Sequence, residues 1–208
     1  MVTKTPGRDR DRDKTRQALI DAVATVLASK GFGGLGINAL ARAAGVDKVL
    51  IYRYFGGLQG LLEAFGRSRR FWPSTEELWG DDVEALRALP PGERTAEGLR
   101  RFAAALRQRP LTLEIMAWEV VEENELTRLL AGLREELSVR WLVEVLPEAE
   151  ARGVDLAALV ALLAGGMSYL ALRSRHVDRY NGVVFDEGGW GRLEDSLSEV
   201  CRRMFGDS

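Results

Sequence analysis

At 208 residues, 46% of them apolar and 29% charged, the chain has the length and composition of a globular protein with one compact domain plus a smaller one, which excludes collagen-like and disordered classes. A single cysteine, Cys201, and a single histidine, His176, exclude an internal disulfide and any zinc site built on several Cys or His ligands, so no metal and no cofactor is expected. The net charge of −2 conceals an imbalance: residues 1–70 carry 13 Lys/Arg against six Asp/Glu, residues 71–208 carry 16 against 25, and a positive first third is suited to a polyanion that the acidic remainder would repel.

Residues 1–14 read as a flexible basic arm, because Pro6, Gly7 and the alternation from Arg8 to Asp13 offer nothing apolar to pack after Val2. From Lys14 the pattern turns helical. Leu19, Ile20, Val23, Val26 and Leu27 recur at spacings of three and four, and the helix ends at Lys30-Gly31. After a glycine-rich loop carrying Phe32, Ile37–Ala44 predict a short second helix stopped by Gly45, and a third runs from Lys48 to about Tyr54, with Asp47 placed to accept from its first-turn N–H groups. Two helices so closely joined must cross steeply, as in a helix-turn-helix.

A fourth helix begins at Leu58, uses Leu61, Leu62 and Phe65, and reaches about Arg70 before Trp72-Pro73 interrupts it. Short helical stretches from Thr75 to Leu89 lead to a loop at Pro90-Pro91-Gly92, and helices are expected near 95–108, 111–122, 125–146, 155–177 and 188–205. No segment alternates with period two over a useful length. The fold class is therefore all-α, with an N-terminal three-helix helix-turn-helix domain over 15–60 and a helical domain over 61–208. The uncharged run Leu156–Leu172 is shorter than the roughly 20 residues of a membrane span and contains Gly165, Gly166, Ser168 and Tyr169, so a buried helix and no membrane are expected. Met1-Val2-Thr3-Lys4 lacks an apolar secretory core, which points to the cytoplasm.

With Ile37 as the first position of the helix-turn-helix, the small Ala41 falls where the helices approach most closely and Gly45 at a turn that wants a left-handed backbone. Ile51 falls on the buried side of the third helix. Leu40, Ala44, Val46 and Phe55 complete the small core. The stretch from Ile37 to Phe55 resembles the signature of the TetR family of transcriptional regulators, an I-A-x-x-A-G-V segment followed by a leucine- or isoleucine-Tyr-x-x-Phe recognition helix. The preceding helix ending in Gly31-Phe32 fits the same pattern, and the likeness covers about 50 residues.

The resemblance implies that Lys48, Val49 and Tyr52 face base edges in the major groove, Lys48 donating to guanine and Val49 touching a thymine methyl. Leu50, Arg53 and Tyr54 would lie at phosphates, with Asn38, Arg42 and Thr15 or Arg16 as further contacts. Two departures stand out: Gly36 and Leu58 occupy positions where the family usually has a capping Thr and a phosphate-gripping Lys.

On the last helix Trp190, Leu193, Leu197, Val200 and Met204 follow a narrow seam, and Leu159, Leu163, Met167 and Leu170 supply the matching surface on the helix before it. An internal core and a twofold mate explain the spacing equally. The family's dimer through its last two helices implies a homodimer. The family's small-molecule sensing likewise implies a pocket for an apolar or aromatic effector, with Phe102, Met116, Trp118, Trp141, Met167, Tyr169 and His176 as candidate lining and Glu119, Glu122 and Arg173 as further polar contacts. Catalytic residues are not expected: His176 sits among arginines without a nucleophile motif, and the Gly31–Gly36 loop lacks the strand and Lys-Ser/Thr of a phosphate loop. The expected function is a ligand-responsive repressor that binds double-stranded operator DNA, against the alternatives of an effector-independent architectural DNA binder and a helical enzyme.

Overall fold

The computed structural model describes residues 6–121, 123–145 and 155–205. Helices dominate: α1 Pro6–Lys30, a 3₁₀ turn Phe32–Gly34, α2 Ile37–Ala44, α3 Val49–Phe55, α4 Leu58–Gly66, α5 Thr75–Trp79, α6 Val83–Ala88, α7 Pro91–Arg107, α8 Pro110–Val121, α9 Glu125–Val145, α10 Leu156–Arg173 and α11 Glu187–Phe205. Between the last two lies a hairpin of β1 Arg179–Tyr180 and β2 Val183–Val184, paired antiparallel. The all-α expectation holds apart from this hairpin. Its strands are too short to show an alternating pattern, but its turn carries Asn181 and Gly182 at φ 46° and 81°, the left-handed pair that a two-residue hairpin requires.

The chain divides into two compact units, one formed by the residues up to Trp72 with Asn124–Leu133, the other by Pro73–Glu123 with Arg134 onward. The expected boundary at 60/61 falls inside α4 instead. Leu61, Leu62 and Phe65 of that helix are buried and belong to the core of the first unit, where α4 packs on α1 and α3. A Cβ on Gly66 would lie 2.4 Å from Leu133 Cδ1, so the Leu133 side chain of α9 lies directly on the backbone of α4.

α1 starts at Pro6, not at Lys14, so the flexible arm expected over 1–14 is corrected to helix for 6–14; residues 1–5 lie outside the described residues. Proline is tolerated at a helix start because the N–H it lacks has no intrahelical partner there. Opposite charges three apart, as at Arg10 and Asp13, favour the turn that follows, and the Thr15 hydroxyl donates to the Asp11 carbonyl at 2.8 Å. The same asymmetry of proline corrects the loop expected at Pro90-Pro91-Gly92: Pro91 opens α7.

In the second unit α7 is the common partner of α10 and α11. Ala96 and Leu99 meet Leu197 and Cys201 of α11, with Val160, Leu163 and Ala164 of α10 closing the layer. A second cluster gathers Leu86, Trp141, Leu159 and Phe205. Gly98 lets Trp141 lie directly on α7, since a Cβ there would come within 2.1 Å of the indole Cζ2. Side-chain caps start α5, α6 and α10: Ser74 accepts from Glu77 N–H at 3.2 Å, Asp82 from Ala85 N–H at 2.9 Å and Asp155 from Ala158 N–H at 3.0 Å.

Candidate nucleic-acid interface

α2 ends because Gly45 takes φ 67°, ψ 30°, a left-handed cap that costs a β-carbon-free residue nothing. Gly45 N–H then donates to the Arg42 carbonyl at 3.2 Å and Val46 N–H to the Ala41 carbonyl at 3.0 Å, closing the helix and turning the chain. Asp47 accepts from Val49 N–H at 2.8 Å, which fixes the first turn of α3. Gly36 caps α2 with no side-chain bond, as its departure from threonine implies.

Leu40, Ala41 and Ile51 are buried, and Ala44, Val46 and Phe55 half-buried, so the two short helices share a core of the kind expected. Phe32 is half-buried beside it. With Ile51 facing inward, the opposite face of α3 carries Lys48, Val49, Tyr52 and Arg53 to solvent, Val49 61% and Tyr52 55% exposed. Leu50 and Tyr54 are half-buried at the flanks, and Asn38 and Arg42 are exposed on α2. A helix face that mixes two cations, a phenol and an isopropyl group has donors for guanine O6/N7 and phosphate oxygens and an apolar contact for a thymine methyl.

α1 braces this face. Arg16 Nη1 donates to the Tyr54 carbonyl at 3.2 Å, and its guanidinium stands 4.9 Å from the centre of the Phe55 ring. Arg12 lies 5.7 Å over the Tyr54 ring. Both are cation–π contacts of the common arginine type. Arg16, expected among phosphate contacts, is thus committed to the end of α3; nothing in its local sequence pattern marked that role.

The residues expected at a dimer seam fall on two sides. Leu159, Met167, Trp190 and Leu197 are buried within the chain, and Leu163, Leu170 and Leu193 are half-buried; Leu197 packs on Ala96 and Leu99 of α7 and Leu163 lies against that layer. Burial within the chain corrects the interface assignment for Leu159, Met167, Trp190 and Leu197. The spacing identified a stripe that packs on another helix, and α7 of the same chain is that helix. Val200 and Met204 are 41% and 51% exposed and remain available.

α10 is also less buried than expected, with only Leu159, Met167 and Ala171 inside. Its uncovered face consists of Ala157, Ala158, Ala161, Leu162, Gly165, Gly166 and Tyr169, with Leu162 76% exposed. Small residues at intervals of four around one leucine were the signal for this face. By length and composition it is the one helix among the described residues that is apolar enough to cross a membrane.

The candidate pocket residues differ in their surroundings. Trp141 is buried in its cluster with Leu86, Leu159 and Phe205; Tyr169 is 48% exposed and meets Tyr180 of the hairpin edge-on at 5.6 Å; His176 is exposed beyond the end of α10. Phe102, Met116 and Trp118 are half-buried and Met167 is buried. Glu119 is bound by both terminal nitrogens of Arg134, and Glu122 lies outside the described residues. A groove of about 240 Å³ between α7 and α11 is lined by Leu89, Glu93, Ala96, Glu97, Arg100, Ser198 and Arg202, none of them among the candidates. Among the described residues, three buried side-chain donors have no acceptor: the indole nitrogens of Trp79 and Trp141 and Nε of Arg173.

Residues 19–65 match the family described as bacterial regulatory proteins, tetR family. The chain is 30% identical over 118 residues to the HTH-type transcriptional regulator AlkX of Mycobacterium tuberculosis, a match covering 55% of this chain and 53% of that one, so the chain spans about half the length of the curated relative it matches. Among solved structures it is similar to the transcriptional regulator FadR from Bacillus subtilis in complex with stearoyl-CoA, with 17% identity, a TM-score of 0.64, and 89% of this chain and 96% of that chain covered. It is similar also to the fatty acid degradation regulator FadR from Bacillus halodurans, with 16% identity, a TM-score of 0.61, and 92% and 98% covered. At that identity the likeness is one of fold.

Proposed function

We propose that the chain, whose residues 19–65 match the tetR family of bacterial regulatory proteins, is a member of that family and a ligand-responsive regulator of transcription. In this reading it binds operator DNA through α3 and is a repressor released by an apolar effector held in the second unit. The observation that carries this reading is the outward face of α3, where Lys48, Val49, Tyr52 and Arg53 stand exposed over a buried Ile51. A cytoplasmic location and a role other than catalysis accompany the reading.

Two copies are needed, since one helix of seven residues reads too few base pairs and paired half-sites mirror a twofold protein. The uncharged outward face of α10, with Val200 and Met204 of α11, is the surface proposed to meet its mate. The operator demands one separation of the two α3 helices; an effector that prefers another lowers DNA affinity, and DNA lowers effector affinity by the same factor. FadR from Bacillus subtilis, solved with stearoyl-CoA, makes molecules with a long apolar body the first effectors to try.

Tyr52→Ala tests the reading. On a duplex selected from random sequence by the native chain, the variant is expected to give no shifted band in a gel-shift assay while keeping its helical circular dichroism. Native-like binding by the variant would remove α3 from the interface.

A further inference from the structure

We infer that α10 pairs with the α10 of a second copy, antiparallel and about a twofold axis level with Ala164, so that Leu162 lies over the partner's Gly166 and Arg173 meets the partner's Asp155. The inference rests on the two-copy reading above and specifies its register and the ion pairs that fix it.

At 3.6 residues per turn, Asp155, Ala158, Leu162, Gly166, Tyr169 and Arg173 all fall within about 80° of the circumference of α10. All but the half-buried Arg173 are exposed. The stripe thus has an acid at its first end and a cation at its last, with small and large residues alternating between them. Read backwards it is its own complement at every position: acid faces cation, Tyr169 falls within one residue of Ala158, and Leu162 faces Gly166. A twofold interface demands this property, because residue i of one copy meets j of the other and j meets i.

Two features of α10 find no reason within one chain. Gly165 and Gly166 stand in mid-helix, where glycine weakens a helix relative to alanine, yet a Cβ at either would meet nothing within 4 Å. The partner's Leu162 gives that space an occupant. Arg173, in the last turn, has its Nε sealed from water with no acceptor among the described residues, so its charge is partly desolvated and uncompensated. Arg175, by contrast, has Glu114 at 3.0 Å.

Asp155 supplies what Arg173 lacks. It is exposed and spends only Oδ1 on the Ala158 N–H, at 3.0 Å, which leaves Oδ2 for a guanidinium. Within one chain the two cannot meet: they stand at opposite ends of an eighteen-residue helix, about 27 Å apart at 1.5 Å per residue. A reversed second copy brings them together twice, once at each end of the seam.

The test exchanges these charges in the full chain and reads association in a sedimentation velocity dilution series. Arg173→Glu sets two acids face to face at each end of the seam, and Asp155→Arg sets two cations there. Each variant alone is expected to dissociate at a concentration at least about tenfold above that of the native chain. An equimolar mixture of the two restores an opposite pair at both ends and is expected to recover most of that loss. Asp155→Arg also removes the cap of α10, but a helix merely weakened there gains nothing from the other variant, so recovery in the mixture is specific to the pairing. Gly166→Leu, whose Cβ has open space within the chain, is expected to weaken association by about tenfold as well, through overpacking against the partner's Leu162.

A mixture that associates no more tightly than its two components overturns the inference. A native dimer whose variants all associate as before removes the register and leaves the two-copy reading standing. A native chain that stays monomeric at micromolar concentration removes that reading and the inference together, and leaves α10 to some other partner.

Discussion

α3 and α10 both expose large apolar side chains, but they do so in different company. α3 is seven residues long, buries Ile51 alone, and sets Val49 and Tyr52 in solvent beside Lys48 and Arg53. α10 is eighteen residues long, buries Leu159, Met167 and Ala171, and sets Leu162 in solvent among alanines and glycines. Apolar groups mixed with cations suit a polyanion whose bases carry methyl groups. Apolar groups flanked by residues too small to hold a partner away suit close helix packing. Exposure alone does not distinguish the two faces; the neighbours at helical spacing do.

The strongest way to break this comparison is to remove the residue that gives α3 its outward side. Ile51→Ala removes the one buried side chain of α3 and is expected to destabilise the first unit by about 2–5 kcal/mol, read from urea unfolding. A loss below about 1 kcal/mol would mean that Ile51 does not anchor α3. Next comes the opposite helix. Leu162→Arg would place two unpaired, symmetry-related charges in a face proposed to be dry, and a dissociation constant at least about a hundredfold weaker is expected in a sedimentation dilution series, equivalent to roughly 2.7 kcal/mol. Because Leu162 is 76% exposed within the chain, the fold should be untouched. A variant still dimeric at the native concentration would deny α10 its partner.

The same contrast explains how much was legible in the sequence. α2 was bounded at Ile37–Ala44 because a local signal ends it: only a left-handed cap lets the chain turn there, and Gly45 supplies it. The stripe of Trp190, Leu193 and Leu197 was also legible, but only as a stripe. Whether Leu197 meets a second copy or Ala96 and Leu99 of α7 depends on contacts about a hundred positions away, which no periodicity encodes. Trp141 was visible as a large aromatic, whereas the fate of its N–H depends on what surrounds the ring. Arg16 looked like any other basic residue in a charged stretch until the fold brought it to the Tyr54 carbonyl.

Arg16 and Arg53 give the finest cut, because sequence alone makes them equivalent and the structure does not. Arg53 is exposed on the reading face of α3, while Arg16 is half-buried and spends its guanidinium on the Tyr54 carbonyl and the Phe55 ring. Arg53→Ala should remove one phosphate contact, lowering the slope of log affinity against log salt by about 1 with the melting temperature unchanged. Arg16→Ala should do the reverse, costing about 1 kcal/mol of stability through the lost bond and cation–π contact and leaving the salt slope alone. Arg16→Lys, which keeps the charge but loses the planar donor over the ring, should follow Arg16→Ala in stability. If instead Arg16→Ala flattens the salt slope as Arg53→Ala does, then Arg16 reaches the backbone of the duplex when DNA is bound, and the brace between α1 and α3 gives way to that contact.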